Sequence, residues 1–163
     1  TALSKSCFYH ICALRHIRPI LSEGFANLIA SALVSSRLDY ANACLFGISN
    51  KNLSRIQRIQ NTLARVVTFP RPRSSTAPLL KHLHWLPVSA RINFKIALLT
   101  FKSLHAIAPS YLSSLVRPYV PSRALRSSSA HQLRVPHVHT VFGSRGFRWA
   151  DPTIWNSLPA RSQ

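Results

Sequence analysis

Acidic residues are almost absent from this sequence of 163 residues, which has three, Glu23, Asp39 and Asp151, against 21 Lys and Arg. Few cations can therefore pair with a carboxylate of the same chain. A two-metal catalytic centre needs at least two carboxylates that converge on its cations, so three scattered acids argue against polymerase or nuclease chemistry within these residues. The formal net charge of +18 indicates an external anion as the partner of this chain.

Cysteine and glycine are also scarce. Three irregularly spaced Cys do not predict a disulfide framework, and they suit a reducing compartment. Cys7, His10, Cys12 and His16 are close in sequence, but on a helix they spread around the circumference and do not converge on a tetrahedral metal. The four Gly include no phosphate-binding loop, and no Ser, His and acid grouping indicates a catalytic triad. We therefore expect no metal, no cofactor and no catalytic residue.

Long hydrophobic runs are missing as well. No apolar stretch approaches the ~20 residues of a membrane span, because Arg, Lys or His interrupts each candidate, and we expect no membrane partner. Met is absent and the first residue is Thr1, so we expect the sequence to be a piece of a longer reading frame. Apolar residues nevertheless make up 47% of the chain, which predicts a folded core in one domain or two small ones.

Apolar residues recur at helical spacing through most of the first 120 positions. The spacing predicts long helices over 4–17, 22–36, 51–68 and 88–106, with shorter helical stretches between them. We expect the helix over 88–106, which is apolar around much of its circumference, to be the central one. The core-facing stripe that we expect in the helix over 22–36 consists of Phe25, Leu28, Ile29, Ala32 and Leu33.

From residue 121 onward the composition shifts towards Ser, Arg and Pro, and the end of the chain interleaves basic and aromatic residues. Valines between Leu133 and Val141 allow a short extended pair. The aromatic residues suit stacking on unpaired bases, and Phe147 and Trp155 equally suit docking on the core. We predict a mainly α fold, a helical bundle with a short irregular or extended basic C-terminal arm, in three segments: 1–47, 48–120 and 121–163.

The predicted helix over 51–68 arranges part of the positive charge along one side. At about 100° per residue, four of its cations fall on one stripe beside its apolar face, and no acid stands four residues away to pair with them. Nucleic acid is the polyanion that such stripes commonly bind; a solvated basic surface and an anionic membrane surface are the alternatives. The predicted nucleic-acid-binding residues are Lys51, Arg55, Arg58, Arg65, Arg71, Arg73, Arg91, Lys95 and Lys102.

Five motifs, in this order, resemble the C-terminal region of reverse transcriptases from non-LTR retrotransposons of the chicken-repeat and jockey type. They are Ser36–Tyr40, Ile56–Asn61 leading to Ala64–Arg65, Leu83–Pro87 followed by Arg91–Ile92 and Phe94–Lys95, Ala108–Leu112, and Trp155–Pro159. Their order and spacing match the family over nearly the whole chain. The sequence departs from the family at Ala41, Ser75, His82 and Ser144, and the last two replace acids, which adds to the net charge.

This resemblance implies a stretch downstream of the palm that covers the end of the thumb and a following helical region. Such a stretch would hold template RNA and primer DNA during target-primed reverse transcription, while the catalytic Asp pair and the endonuclease lie upstream. The implied partners are RNA or DNA backbone and the upstream polymerase domains of the same polyprotein. The implied location is intracellular, nuclear or cytoplasmic, in a retroelement ribonucleoprotein. Two alternatives stay open: a protein-interaction module docking on the polymerase domains, and a decayed copy without selected function.

Overall fold

The computed structural model describes residues 2–70, 74–121 and 132–159, and the fold is mainly helical, as predicted. Contacts between residues divide the chain into two compact units. The first comprises Thr1–Asn42 and Ile48–Arg91, and the second comprises Ala43–Gly47 and Ile92–Gln163. This grouping follows contacts in space, whereas the three segments predicted from the sequence follow composition along the chain and stay a prediction.

The helices confirm the four long predicted ones to within a few residues. They are α1 (Ala2–Ile17), α2 (Glu23–Ala30), α3 (Ser36–Asp39), α4 (Asn50–Thr68), α5 (Thr76–His82), α6 (Val88–Leu104), α7 (Ser110–Ser113) and α8 (Phe147–Ser157). A π-helical turn, Ser31–Ser35, joins α2 to α3. Short 3-10 turns lie at Arg18–Ile20, Asn42–Leu45 and Gly143–Arg145. In the described ranges, extended pairing is limited to an isolated antiparallel bridge between Pro118 and Leu133.

The first unit is packed around α4, which contacts α1, α2 and α5. Its predicted apolar face is confirmed in the second half of the helix, where Ile59, Leu63 and Val67 are fully buried. The expectation that the helix over 88–106 would be central is not met in this unit. On α6, Phe94 and Phe101 are largely exposed, because only one side of that helix is covered.

The predicted core-facing stripe of α2 is wrong except at Ile29, which is partly buried against the core. Phe25 and Leu28 are 64% and 67% exposed, and the buried side chains are instead Ala26, Ala30 and Val34. Small Ala side chains let α2 approach α1 and α4 closely, whereas a stripe chosen by hydrophobicity favours the larger residues. The π turn that follows adds one residue to a helical turn and so rotates the positions after it.

Two glutamine side chains attach the segment after α5 to α4. The amide of Gln60 is fully buried; it donates to the Leu86 carbonyl at 2.8 Å and accepts from Gln57 Nε2 at 2.9 Å. Gln57 Oε1 in turn accepts from the backbone N–H of Val88 at 2.9 Å. Buried amides need such partners, so this network fixes the approach to α6 within the first unit.

The second unit takes its core from α6, the segment around Leu133, and α8. Leu133 is buried, and the Asn156 amide accepts from its N–H and donates to its carbonyl, both at 2.9 Å. Trp155 is buried, as the docking alternative for this residue predicted, and Phe147 is half-buried. The predicted irregular or extended C-terminal arm therefore contains a helix, α8, over Phe147–Ser157. Residues 122–131 and 160–163 of that arm lie outside the described residues.

Candidate nucleic-acid interface

The outer side of α4 presents the predicted stripe of cations. The helix begins after Ser49, has 19 residues, and ends where Phe69 adopts a left-handed φ of 49°. At 1.5 Å per residue, the stripe is about 21 Å long, roughly the length of six phosphates along one strand of a nucleic-acid duplex. Its four members are all exposed: Lys51, Arg55, Arg58 and Arg65.

The hydrogen bonds that these side chains make to neighbouring groups leave them available for a ligand. Arg55 donates to Asn52 Oδ1 at 3.5 Å, and Arg65 donates to the Ser74 carbonyl at 3.5 Å. Both hydrogen bonds are long, and a guanidinium has five N–H donors. Most of the donor capacity of this face therefore points to an external acceptor.

The three acids of the chain are placed elsewhere. Glu23 Oε1 lies 2.6 Å from His82 Nε2, and Asp39 forms an ion pair with Arg91. Asp151 is 1% exposed within α8. Because these are all the Asp and Glu residues of the sequence, no carboxylate side chain remains to neutralise the cations of α4.

The other predicted binding residues are distributed between the units. Arg91 belongs to the first unit, and its pairing with Asp39 reduces its availability for a ligand. Lys95 and Lys102 are exposed and belong to the second unit. Arg71 and Arg73 lie outside the described residues. Among the seven predicted positions that the structure describes, the continuous cationic face is the one on α4.

A groove of about 680 Å³ adjoins the C-terminal end of this face, between α1 and α4. Arg65 lines it together with Arg15, and Phe8 and Phe69 supply aromatic surface. Arg18 lies over the Phe69 ring, with its guanidinium carbon 5.5 Å from the ring centroid. The groove thus combines aromatic rings with cations, which is the composition of sites that stack unpaired bases. No sequence pattern predicts this groove, because its residues come from segments far apart in the chain.

A second cationic cluster lies in the second unit and was not predicted. It surrounds a pocket of about 310 Å³ that is lined by Leu115, Arg117, Arg134, Pro136, His137 and Arg148. The three Arg come from separate parts of the chain, so no spacing rule could reveal them. The interleaved basic and aromatic residues near Arg148 were the only available signal.

The pKa of Asp151 lies well above the ordinary value of an Asp side chain. Neither of its carboxylate oxygens has a hydrogen-bond partner in another residue of the described ranges. Burial raises the pKa of Asp151 to about 7, and its own backbone N–H partly offsets this effect. Burial also raises the pKa of the Cys7 thiol, against the opposing charge of Arg37. A raised pKa favours the protonated form of Asp151, which reduces the negative charge that this residue supplies to the second unit.

Within the described ranges, no three His, Cys, Asp or Glu side chains form a group that could hold a metal ion. No helix in these ranges is both long and apolar enough to cross a membrane. Comparison of the chain with protein-family models, curated proteins and solved structures finds no match. The likeness to non-LTR reverse transcriptases therefore rests on the sequence motifs alone.

Proposed function

We propose that this chain is a non-catalytic module that binds the backbone of nucleic acid. The observation that carries the proposal is the face of α4, where Lys51, Arg55, Arg58 and Arg65 are exposed without any carboxylate partner. Phosphates neutralised by such cations release condensed counterions, which drives binding without regard to base sequence. From the motif succession we further propose that the module is the post-palm region of a non-LTR retrotransposon reverse transcriptase, an RNA-directed DNA polymerase, where it holds template RNA and primer DNA.

The groove beside Arg65 favours a single strand over a duplex. A strand lying along α4 would reach the groove with its bases unpaired, and Phe8 and Phe69 line that groove. Base stacking on aromatic rings tolerates any sequence, because every base has a flat face. We therefore expect tighter binding to single-stranded RNA or DNA than to a duplex of equal length, with little sequence preference.

The test is the salt dependence of binding to a fluorescent single-stranded RNA of mixed sequence, measured by anisotropy. Four phosphate contacts predict a slope of log K against log salt of about −3, since each single-strand phosphate contributes about −0.7. The double variant Arg55→Glu/Arg58→Glu should bind far more weakly. A matched control, Lys5→Glu/Lys81→Glu, makes the same change in net charge at exposed positions on α1 and α5.

The outcomes distinguish the effect of the cations on α4 from the effect of the net charge of the chain. Strong loss in the α4 variant with small loss in the control supports the interface on α4. Equal loss in both would reject α4 and leave only the total charge as the cause. A flat salt response of the unaltered chain would reject phosphate binding altogether.

A protein-docking module is the second candidate, and the exposed apolar side of α2 favours it. Phe25 and Leu28 are both largely exposed on one helix, and exposed apolar patches often mark protein interaction sites. The partner in this case would be the upstream polymerase domains of the same polyprotein. Phe25→Ser/Leu28→Ser should then abolish association with a separately produced palm domain and leave RNA binding intact. Unchanged association would reject this candidate.

A further inference from the structure

Three arginines of the second unit line one small pocket. None of them is among the binding residues predicted from the sequence. We propose that Arg117, Arg134 and Arg148 form a binding site for a phosphate group, with His137 at its edge. The site is separate from α4, and the proposal does not depend on the nucleic-acid function proposed above.

Backbone hydrogen bonds fix two of the three arginines beside each other. The Arg134 N–H donates to the Arg117 carbonyl at 2.8 Å, and the Tyr119 N–H donates to the Gln132 carbonyl at 2.9 Å. These bonds flank the bridge between Pro118 and Leu133. The main chain therefore fixes the backbone positions of Arg117 and Arg134 beside each other.

The third arginine is positioned by α8. Arg148 lies in the first turn of that helix, and Asn156 in its last turn holds both backbone groups of Leu133. The same helix thus carries one arginine and anchors the residue next to another. This arrangement is preorganised, which lowers the entropy lost when a ligand binds.

Charge makes an anion the natural occupant of the pocket. Among the described residues, none of the three arginines forms an ion pair. Glu23 and Asp39 are paired in the first unit, and Asp151 is buried. Like charges gathered in one concavity repel each other, and a bound anion removes that cost.

The chemistry of the lining favours phosphate over carboxylate. Arginine forks bind phosphate oxygens in pairs, and a phosphate monoester offers three terminal oxygens and up to two charges to several arginines at once. The volume of about 310 Å³ is at the lower end of ligand pockets, which begin at about 300 Å³. It suits a phosphate or diphosphate group, whose source is either the end of a nucleic-acid strand or a small phosphate compound.

Titration calorimetry of the full chain with pyrophosphate, at constant ionic strength, tests the site. We expect one saturable site per chain, weakened about tenfold by Arg134→Ala and by Arg148→Ala, because each removes a charge-assisted hydrogen bond. Arg145→Ala, an exposed change in the same unit outside the pocket, is the matched control and should bind as the unaltered chain does. Arg134→Lys keeps the charge but loses the fork, and should show an intermediate loss.

Equal weakening by Arg145→Ala, or no saturable site in the unaltered chain, would overturn the proposal, since both results indicate diffuse attraction to a basic protein. Circular dichroism of each variant verifies that the helices are intact.

Two short RNAs that differ only in a 5′ phosphate distinguish the two sources of the phosphate group, the end of a nucleic-acid strand and a small compound. A preference for the phosphorylated strand that Arg134→Ala removes identifies a strand end, and no preference with retained pyrophosphate binding identifies a small compound. The Arg55→Glu/Arg58→Glu variant should keep its pyrophosphate site even where its RNA binding is lost.

Discussion

Replacing Asp151 with Asn should remove the pH dependence that this buried acid gives to the stability of the second unit. The pKa of Asp151 in the folded chain is about 7, against an ordinary value of 3.8. The folded state therefore holds a proton that the unfolded state releases, so the free energy of unfolding falls as pH rises from 3.8 to about 7 and is then level. At about 1.4 kcal/mol per pH unit, this difference corresponds to a loss on the order of 4 kcal/mol.

Asp151→Asn has no charge to bury, so it avoids this loss. Its amide N–H groups need partners in a site where the carboxylate has none, which costs about 1 to 2 kcal/mol at every pH. We therefore expect the variant to be more stable than the unaltered chain by roughly 2 to 3 kcal/mol at pH 8. At pH 4.5 it should be equally stable or slightly less stable.

Urea unfolding at pH 4.5, 6 and 8 measures this difference. In a Trp85→Phe background, the fluorescence comes from Trp149 and Trp155, both in α8, and reports on the second unit. Glu23→Gln makes the same chemical change at an exposed acid in the first unit and should leave the pH profile of that signal unaltered. A stability difference between Asp151→Asn and the unaltered chain that is constant from pH 4.5 to 8 would refute the reasoning.

Two further substitutions test the packing of each unit. Gln60→Leu should destabilise the first unit by about 1 to 3 kcal/mol in urea unfolding, because the Leu86 carbonyl and the Gln57 amide lose a buried partner; stability equal to that of the unaltered chain would show that water replaces the amide. Gly47→Ala should cost about 1 kcal/mol, since Gly47 has a φ of +69° and an added Cβ would lie 2.8 Å from Arg145 Cγ. Adding Arg145→Ala should recover only the steric part of the loss in thermal unfolding, and full recovery would show that the backbone conformation costs nothing.

Local patterns were sufficient to predict the long helices of the first 120 residues, although not α8. Ser22 caps α2 by accepting a hydrogen bond from the Phe25 N–H, and Ser49 precedes α4 in an extended conformation. Capping and helical spacing are properties of neighbouring residues, so they can be identified from the sequence. The cationic stripe of α4 was predicted for the same reason, since its members share one helix.

Contacts with residues distant in the chain decided which side of a helix is buried, and local patterns could not predict this. The buried side of α2 depends on how closely α1 and α4 approach it, and the small Ala26 and Ala30 fit there where Phe25 does not. A hydrophobic pattern cannot identify this difference, because it ranks residues by their own character and contains nothing about the neighbour.

The sequence by itself determined the charge imbalance, the mainly helical fold and the stripe on α4, because these follow from composition and from the 3.6-residue period of a helix. Only the tertiary structure decided where the three acids lie: Asp39 in an ion pair with Arg91, Glu23 in contact with His82, and Asp151 buried without a partner in another residue. It also gathered Arg117, Arg134 and Arg148 around one pocket. Both outcomes depend on contacts between segments far apart in the chain, and such contacts exist only once the helices have packed.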